Sequence, residues 1–259
     1  MKTASRVLND SPELRPATAA RVGDSAIEQS ELQVIMRRQI DGVILIPASS
    51  GKSNLKPLQA KNVPVVVFDE PLRGQEVDTI TVTNRKSARE ATEHLLAHGY
   101  RRILAVGARP HLYTCSQRVA GYRSAIRAAG AETFELLVKH ENDLTPEILA
   151  TFLKGPNKVE AIFSLNWVCT MLVLRGLNVL KKRITKDLGL ISFDDFELAE
   201  MIPPGLTVVR QPSRELGRQA AKDLFDRIAD VKKHPARKIV LGTEFIIRGS
   251  CGCPPTVWV

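Results

Sequence analysis

Leu190-Ile191-Ser192-Phe193-Asp194-Asp195, then Pro203-Pro204-Gly205 and Leu206-Thr207-Val208-Val209-Arg210-Gln211, decide the fold. A helix from Ser213 follows, and Glu244-Phe245-Ile246-Ile247-Arg248-Gly249 closes the stretch. Leu190–Phe193 is apolar enough for a buried strand and stops abruptly at two carboxylates. A carboxylate pair at the carboxyl end of a buried strand is where an open α/β sheet meets its ligand.

Outward from that stretch the same rhythm repeats. Asp41-Gly42-Val43-Ile44-Leu45-Ile46-Pro47, Val63–Phe68, Thr79–Thr83, Arg102–Gly107, Phe134–Val138 and Ala161–Leu165 are short, near-continuous apolar runs. Helical spacing separates them, over 25–39, 53–61, 84–98, 117–129, 146–153 and 167–180. Gly99 stands where a helix ending at His98 needs a left-handed residue. Strands buried on both faces read as unbroken apolar runs, and their alternation with helices predicts mostly parallel sheets with right-handed crossovers. The fold class is α/β. After Gln211 a helix over 214–229 leads through a basic loop into two more strands, Ile239–Leu241 and Phe245–Ile247.

The first segment stands apart. Lys2 to Asn9 reads as a short helix stopped by Asp10-Ser11-Pro12, and a second starts at Arg15-Pro16, where a first-turn proline costs little. Two short helices joined by a tight polar turn fit the tail of a helix-turn-helix.

Composition bounds the function classes. The 259 residues suffice for a sizeable core, and 44% hydrophobic with 25% charged residues is ordinary for a globular chain. The net charge of +9 suits an anionic partner such as nucleic acid. Cys115, Cys169, Cys251 and Cys253 form no disulfide framework, which suits a reducing, cytoplasmic setting. No apolar run approaches the roughly 18 residues that span a bilayer, and the first residues have no hydrophobic signal region, so no membrane partner is expected.

Enzyme chemistry finds little support. Neither common Gly-rich phosphate loop is present, and no Ser sits in a G-x-S-x-G elbow. His94 and His98 are four apart on one helix, but no third ligand stands near them in sequence. Cys251-Gly252-Cys253 lacks a second pair at zinc-like spacing. No metal and no cofactor are expected, and the chain reads as a binder.

Several motifs in this order carry a resemblance. They are Ile40–Pro47, Val63–Asp69, Thr83-Asn84, Ala91–Ile103, Gln117-Arg118-Val119-Ala120-Gly121-Tyr122 and Ser192–Asp195. Pro203–Gln211, Glu215–Ala221 and Arg248-Gly249-Ser250-Cys251 complete the set. With these the chain resembles the lactose-repressor (LacI/GalR) family of bacterial transcription regulators. The resemblance implies a type I periplasmic-binding-protein-like core of two Rossmann-like parallel-sheet subdomains. It divides the chain into a partial helix-turn-helix over 1–22, an N-terminal subdomain over 23–108 and 211–233, and a C-terminal one over 109–210 and 234–259.

The family's function follows as an expectation. A homodimer represses transcription at operator DNA, and a small effector (a sugar or related metabolite) bound between the subdomains tunes the affinity. Lys2–Pro12 resembles the family's recognition helix, so Met1, Lys2 and Arg6 fall where base edges are read. Thr3, Ser5 and Asn9 fall where phosphate or packing contacts are made. For the effector, the resemblance assigns Arg118, Asp194 and Asn166. Trp167 stands where the family has an Asp, and either stacking on a sugar face or core packing would suit it. Val22 runs straight into residues resembling the core's second helix, which implies an internally deleted repressor with an incomplete N-terminal subdomain. A solute-binding protein without DNA binding, or a non-functional truncated repressor, is the alternative.

Overall fold

The computed structural model describes residues 25–37, 40–48, 55–156, 158–229 and 235–254. The partial helix-turn-helix, with Met1, Lys2, Thr3, Ser5, Arg6 and Asn9, lies outside them. The chain divides into two compact units, one of residues 1–82 and 212–242 and the other of 83–211 and 243–259.

The first unit is a parallel sheet of four strands in the order β1-β2-β3-β9: β1 Val43–Leu45, β2 Val65–Phe68, β3 Asp78–Val82 and β9 Lys238–Leu241. Side chains alternate across it, as the period of a strand requires. Ile44, Val66 and Ile80 face Leu216, Ala220 and Leu224 of α7 (Ser213–Ala229). Val43, Leu45 and Val67 face Leu32 and Ile35 of α1 (Ser25–Met36) and Leu58 of α2 (Lys56–Ala60). β1 pairs only with β2 among the described residues, yet its three side chains are buried because helices cover both faces. Buried Asp78 accepts from Arg227 Nε (2.5 Å), a second Arg227 nitrogen (2.8 Å) and the Arg237 N–H (2.7 Å), and so ties α7 to the start of β9.

In the second unit, a sheet of six strands runs β10-β8-β7-β6-β4-β5. Its strands are β4 Ile103–Ala108, β5 Phe134–Val138, β6 Ala161–Ser164, β7 Gly189–Phe193, β8 Thr207–Arg210 and β10 Glu244–Ile246. All pairs are parallel except β10 with β8. Leu104, Val106, Ile162, Leu190 and Val208 face α5 (Pro146–Phe152) and α6 (Trp167–Val179). Ile103, Ala105, Phe163, Ile191 and Val209 face α3 (Asn84–Ala97) and α4 (Tyr113–Ala128). Both faces of every central strand are therefore covered, which is why the strands read as unbroken apolar runs.

The subdomain limits need correction. Residues 84–108 were expected with the first unit, but β4 is an interior strand of the larger sheet, hydrogen-bonded to β5 and β6. Residues 238–242 were expected with the second unit, but β9 extends the smaller sheet by pairing with β3. Strand pairing, which is not local in sequence, sets both limits.

Candidate functional site

The chain leaves β4 through α4 to β5 on one side, then returns through α5 to β6 on the other side of β4. The strand order reverses between β4 and β6, and a doubly wound sheet opens its ligand crevice at the carboxyl ends beside that reversal. Arg118, Asn166, Trp167 and Asp194 all meet there, with Asn84 and Gln211.

Each is placed by its element. Gly121 lets α4 approach α3 closely: a Cβ there would lie 2.2 Å from Arg85 O and 2.9 Å from Arg89 N. One turn earlier on α4, buried Arg118 reaches across α3, where its Nε donates to Asn84 Oδ1 at 2.8 Å. Another guanidinium nitrogen donates to Leu165 O at 2.6 Å, and the group lies 3.7 Å from the centroid of the Phe193 ring. Such cation–π contact gains strength where water is excluded. Tyr122, the next motif residue, pins the helix by hydrogen bonds to Ile103 O (2.7 Å), Phe134 O (2.9 Å) and Phe134 N (3.0 Å). Burial pushes its phenol well above the ordinary tyrosine range, so it stays neutral.

Asp194 leaves β7 with φ +78°, a left-handed conformation that aspartate tolerates better than most residues. Its N–H still donates to Val209 O at 2.9 Å, so the backbone stays anchored while the chain turns. One carboxylate oxygen accepts from Gln211 Nε2 at 2.5 Å, and the other from the Trp167 N–H at 3.3 Å. That second oxygen is 3.8 Å from the Arg118 guanidinium, a long ion pair. A carboxylate has about four lone-pair sites, so two acceptor positions remain on Asp194. Asp195 differs from its neighbour. Its carboxylate is occupied by Arg210 (2.7 and 2.9 Å) and Arg248 (3.4 Å), a structural network at the sheet margin.

Asn166 is the N-cap of α6, its side-chain oxygen accepting from the Cys169 N–H at 2.7 Å. The cap thus orients the first turn of the helix that carries Trp167 and its N–H. Trp167 is 45% exposed and so is not a core residue.

Two residues of this cluster lie in motifs read from the sequence but were given no ligand-site role there. Asn84 and Gln211 are plain polar residues directly after a strand, and only the hydrogen bonds to Arg118 and Asp194 mark them. No metal was expected, since no third ligand stands near His94 and His98 in sequence. The fold brings His94, in the last turn of α3, and His98, its C-cap, together with Cys251 and Cys253, all four donor atoms within 4.8 Å of one another. Each half was visible as a spacing, but neither half suffices alone.

Known proteins agree with this architecture. A family model of the periplasmic binding protein-like domain matches residues 92–251, which sets the class of protein. The HTH-type transcriptional regulator CelR of Thermobifida fusca is 30% identical over 234 residues, 88% of this chain and 68% of that protein. A LacI family transcriptional regulator from Enterococcus faecium, solved with bound ribose, superposes with a TM-score of 0.77 at 26% identity. That match covers 85% of this chain and 83% of the other. A transcriptional regulator CelR–cellobiose complex gives 0.75 at 26% identity, covering 88% and 71%. The chain belongs to the LacI family of transcriptional regulators and spans about two thirds of the length of relatives such as CelR.

Proposed function

We propose that this chain is the effector-responsive part of a transcriptional repressor. It takes a neutral, polyhydroxylated ligand of the sugar class at the carboxyl ends of β6 and β7. The observation that carries this reading is Asp194. It is a partly buried carboxylate with acceptor capacity to spare, braced by Gln211 and Arg118 and accepting from the backbone N–H of Trp167, a half-exposed residue. Hydroxyl groups donate to a carboxylate in short, charge-assisted hydrogen bonds, and the apolar face of a pyranose or furanose packs on an aromatic ring. Arg118, Asn84 and Asn166 hold this geometry, and the Arg118 guanidinium stands 3.8 Å from the Asp194 carboxylate.

The solved regulators with ribose and cellobiose support the sugar class. The helix-turn-helix regulators among the relatives support operator DNA as the second partner, with recognition assigned to residues 1–22 of a homodimer. The relatives are transcriptional regulators, which supports a binding role for this site. Thermal shift of the purified chain against pentoses, hexoses, their phosphates and β-linked disaccharides tests the reading. A saturable rise in melting temperature with a neutral sugar is expected. A rise only with phosphorylated or cationic compounds contradicts the site assignment.

A further inference from the structure

We propose that His94, His98, Cys251 and Cys253 form a four-coordinate Zn(II) site that fastens the C-terminal segment to helix α3. This site is separate from the effector site and does not depend on it.

Three features of the chain build it. His94 in the last turn of α3 and His98 at its C-cap are four apart, so their rings project from one side of the helix end. A short 3₁₀ turn, Gly249–Cys251, presents the first sulfur, and Gly252 at φ +99° turns the chain so that Cys253 follows on the same side. Gly252 is required there twice over, since its φ is left-handed and a Cβ would lie 3.1 Å from the Tyr100 hydroxyl.

Three of the donor separations are close to those about a tetrahedral ion, and all four donor atoms lie within 4.8 Å of one another. Zn–S bonds near 2.3 Å and Zn–N bonds near 2.0–2.1 Å, set at the tetrahedral angle, place sulfur and nitrogen about 3.5 Å apart. The Sγ···Nε2 separations are 3.3 Å for Cys251 with His94, 3.7 Å for Cys253 with His94 and 3.1 Å for Cys253 with His98. Two thiolates and two imidazoles in tetrahedral array select zinc among the common divalent ions. All four positions are taken by protein, which defines a structural site and not a catalytic one.

The surroundings suit a bound thiolate. The Thr207 hydroxyl donates to Cys251 Sγ at 3.2 Å and so orients a ligand from outside the coordination sphere. The Phe245 ring packs edge-on against His94 at 5.1 Å between centroids. Cys251 is buried, while His98 is exposed and Cys253 partly so, which leaves a path for the ion. Because Thr207 belongs to β8, an ion here would link α3, β8 and the C-terminal segment in one cluster.

The test uses the full chain, untagged and purified under reducing conditions without metal affinity resin. Elemental analysis after desalting is expected to find about one zinc per chain. Cobalt substitution is expected to give the sulfur-to-cobalt charge-transfer band and the intense d–d bands of a tetrahedral ion. His98→Gln and Cys253→Ser, both at the accessible side, should each lower retained zinc at least tenfold. A strong chelator should lower the melting temperature of the wild type, and added zinc should restore it. Zinc retained equally by both variants and the wild type overturns the proposal. So does an octahedral cobalt spectrum, the finding of copper or iron in place of zinc, or a Cys251–Cys253 disulfide in the reduced preparation. If a variant does not fold, the cobalt spectrum of the wild type decides.

Discussion

Gly121→Ala tests whether the close approach of α3 and α4 is what assembles the site. In a helix interior, Ala is ordinarily better than Gly by about 1 kcal/mol, so a solvent-exposed helix would gain from the change. At Gly121 the new methyl would lie 2.2 Å from Arg85 O, 2.9 Å from Arg89 N and 2.9 Å from Ala88 Cβ. Two of the three are backbone atoms of the neighbouring helix, and the nearest lies about 1 Å or more inside ordinary van der Waals distance, so no rotamer change relieves it. The helices must separate. Overpacking of this kind costs about 1–3 kcal/mol, and rigid backbone puts it at the upper end. Less the propensity gain, the net loss is about 2 kcal/mol, or a melting temperature lower by roughly 4–8 °C for a unit of this size.

Separation also draws Arg118 away from Asn84, which it meets at 2.8 Å, so ligand affinity should fall with stability. Gly217→Ala is the control, because nothing lies within 4 Å of the Cβ position in α7, and it should be neutral or stabilising. Urea denaturation followed by tryptophan fluorescence measures both variants. A Gly121→Ala midpoint equal to or above that of the wild type, at unchanged slope, refutes the packing argument.

Two further outcomes follow from buried or half-buried carboxylates. Asp78→Ala removes the acceptor of two Arg227 bonds and the Arg237 N–H, and should cost about 3 kcal/mol in chemical denaturation. A cost under about 1 kcal/mol would mean that the network contributes no more than a surface pair. Glu160 is opposed by burial, but the N–H groups of Arg101 and Arg102 and the Arg102 guanidinium outweigh it and hold its carboxyl below the usual range. A lowered folded pKa adds stability above the unfolded pKa and loses it as pH falls through the folded one. The gap in melting temperature between wild type and Glu160→Gln should therefore be full at neutral pH and close below about pH 4. A gap that persists into strong acid contradicts this.

The alternation of strands and helices was legible because each strand is covered on both faces and carries an unbroken apolar run. Helix limits such as Asn84–Ala97 were legible to within a residue, with Gly99 marking the stop. The boundary between the units was not. β3 passes into α3 at Thr83-Asn84 without a proline or glycine to mark the crossing, and only pairing shows that β4 lies in the other sheet. Arg118 and Asp194 were reachable through a family resemblance, but Asn84 and Gln211 gain meaning only from whom they touch. The histidine–cysteine cluster was hidden by distance along the chain, since His94 and Cys251 are 157 residues apart.

The central claim is that Asp194, and not its neighbour, receives the ligand. Once a sugar is found by thermal shift, isothermal titration should compare the wild type with Asp194→Asn and Asp195→Asn. Loss of a charge-assisted hydrogen bond is worth about 1.5–3 kcal/mol, so Asp194→Asn should weaken binding by about tenfold to a hundredfold. Asp195 is committed to Arg210 and Arg248, so Asp195→Asn should leave affinity within about threefold while lowering stability. Unchanged affinity in a folded Asp194→Asn protein, or a larger loss in Asp195→Asn, would contradict the account.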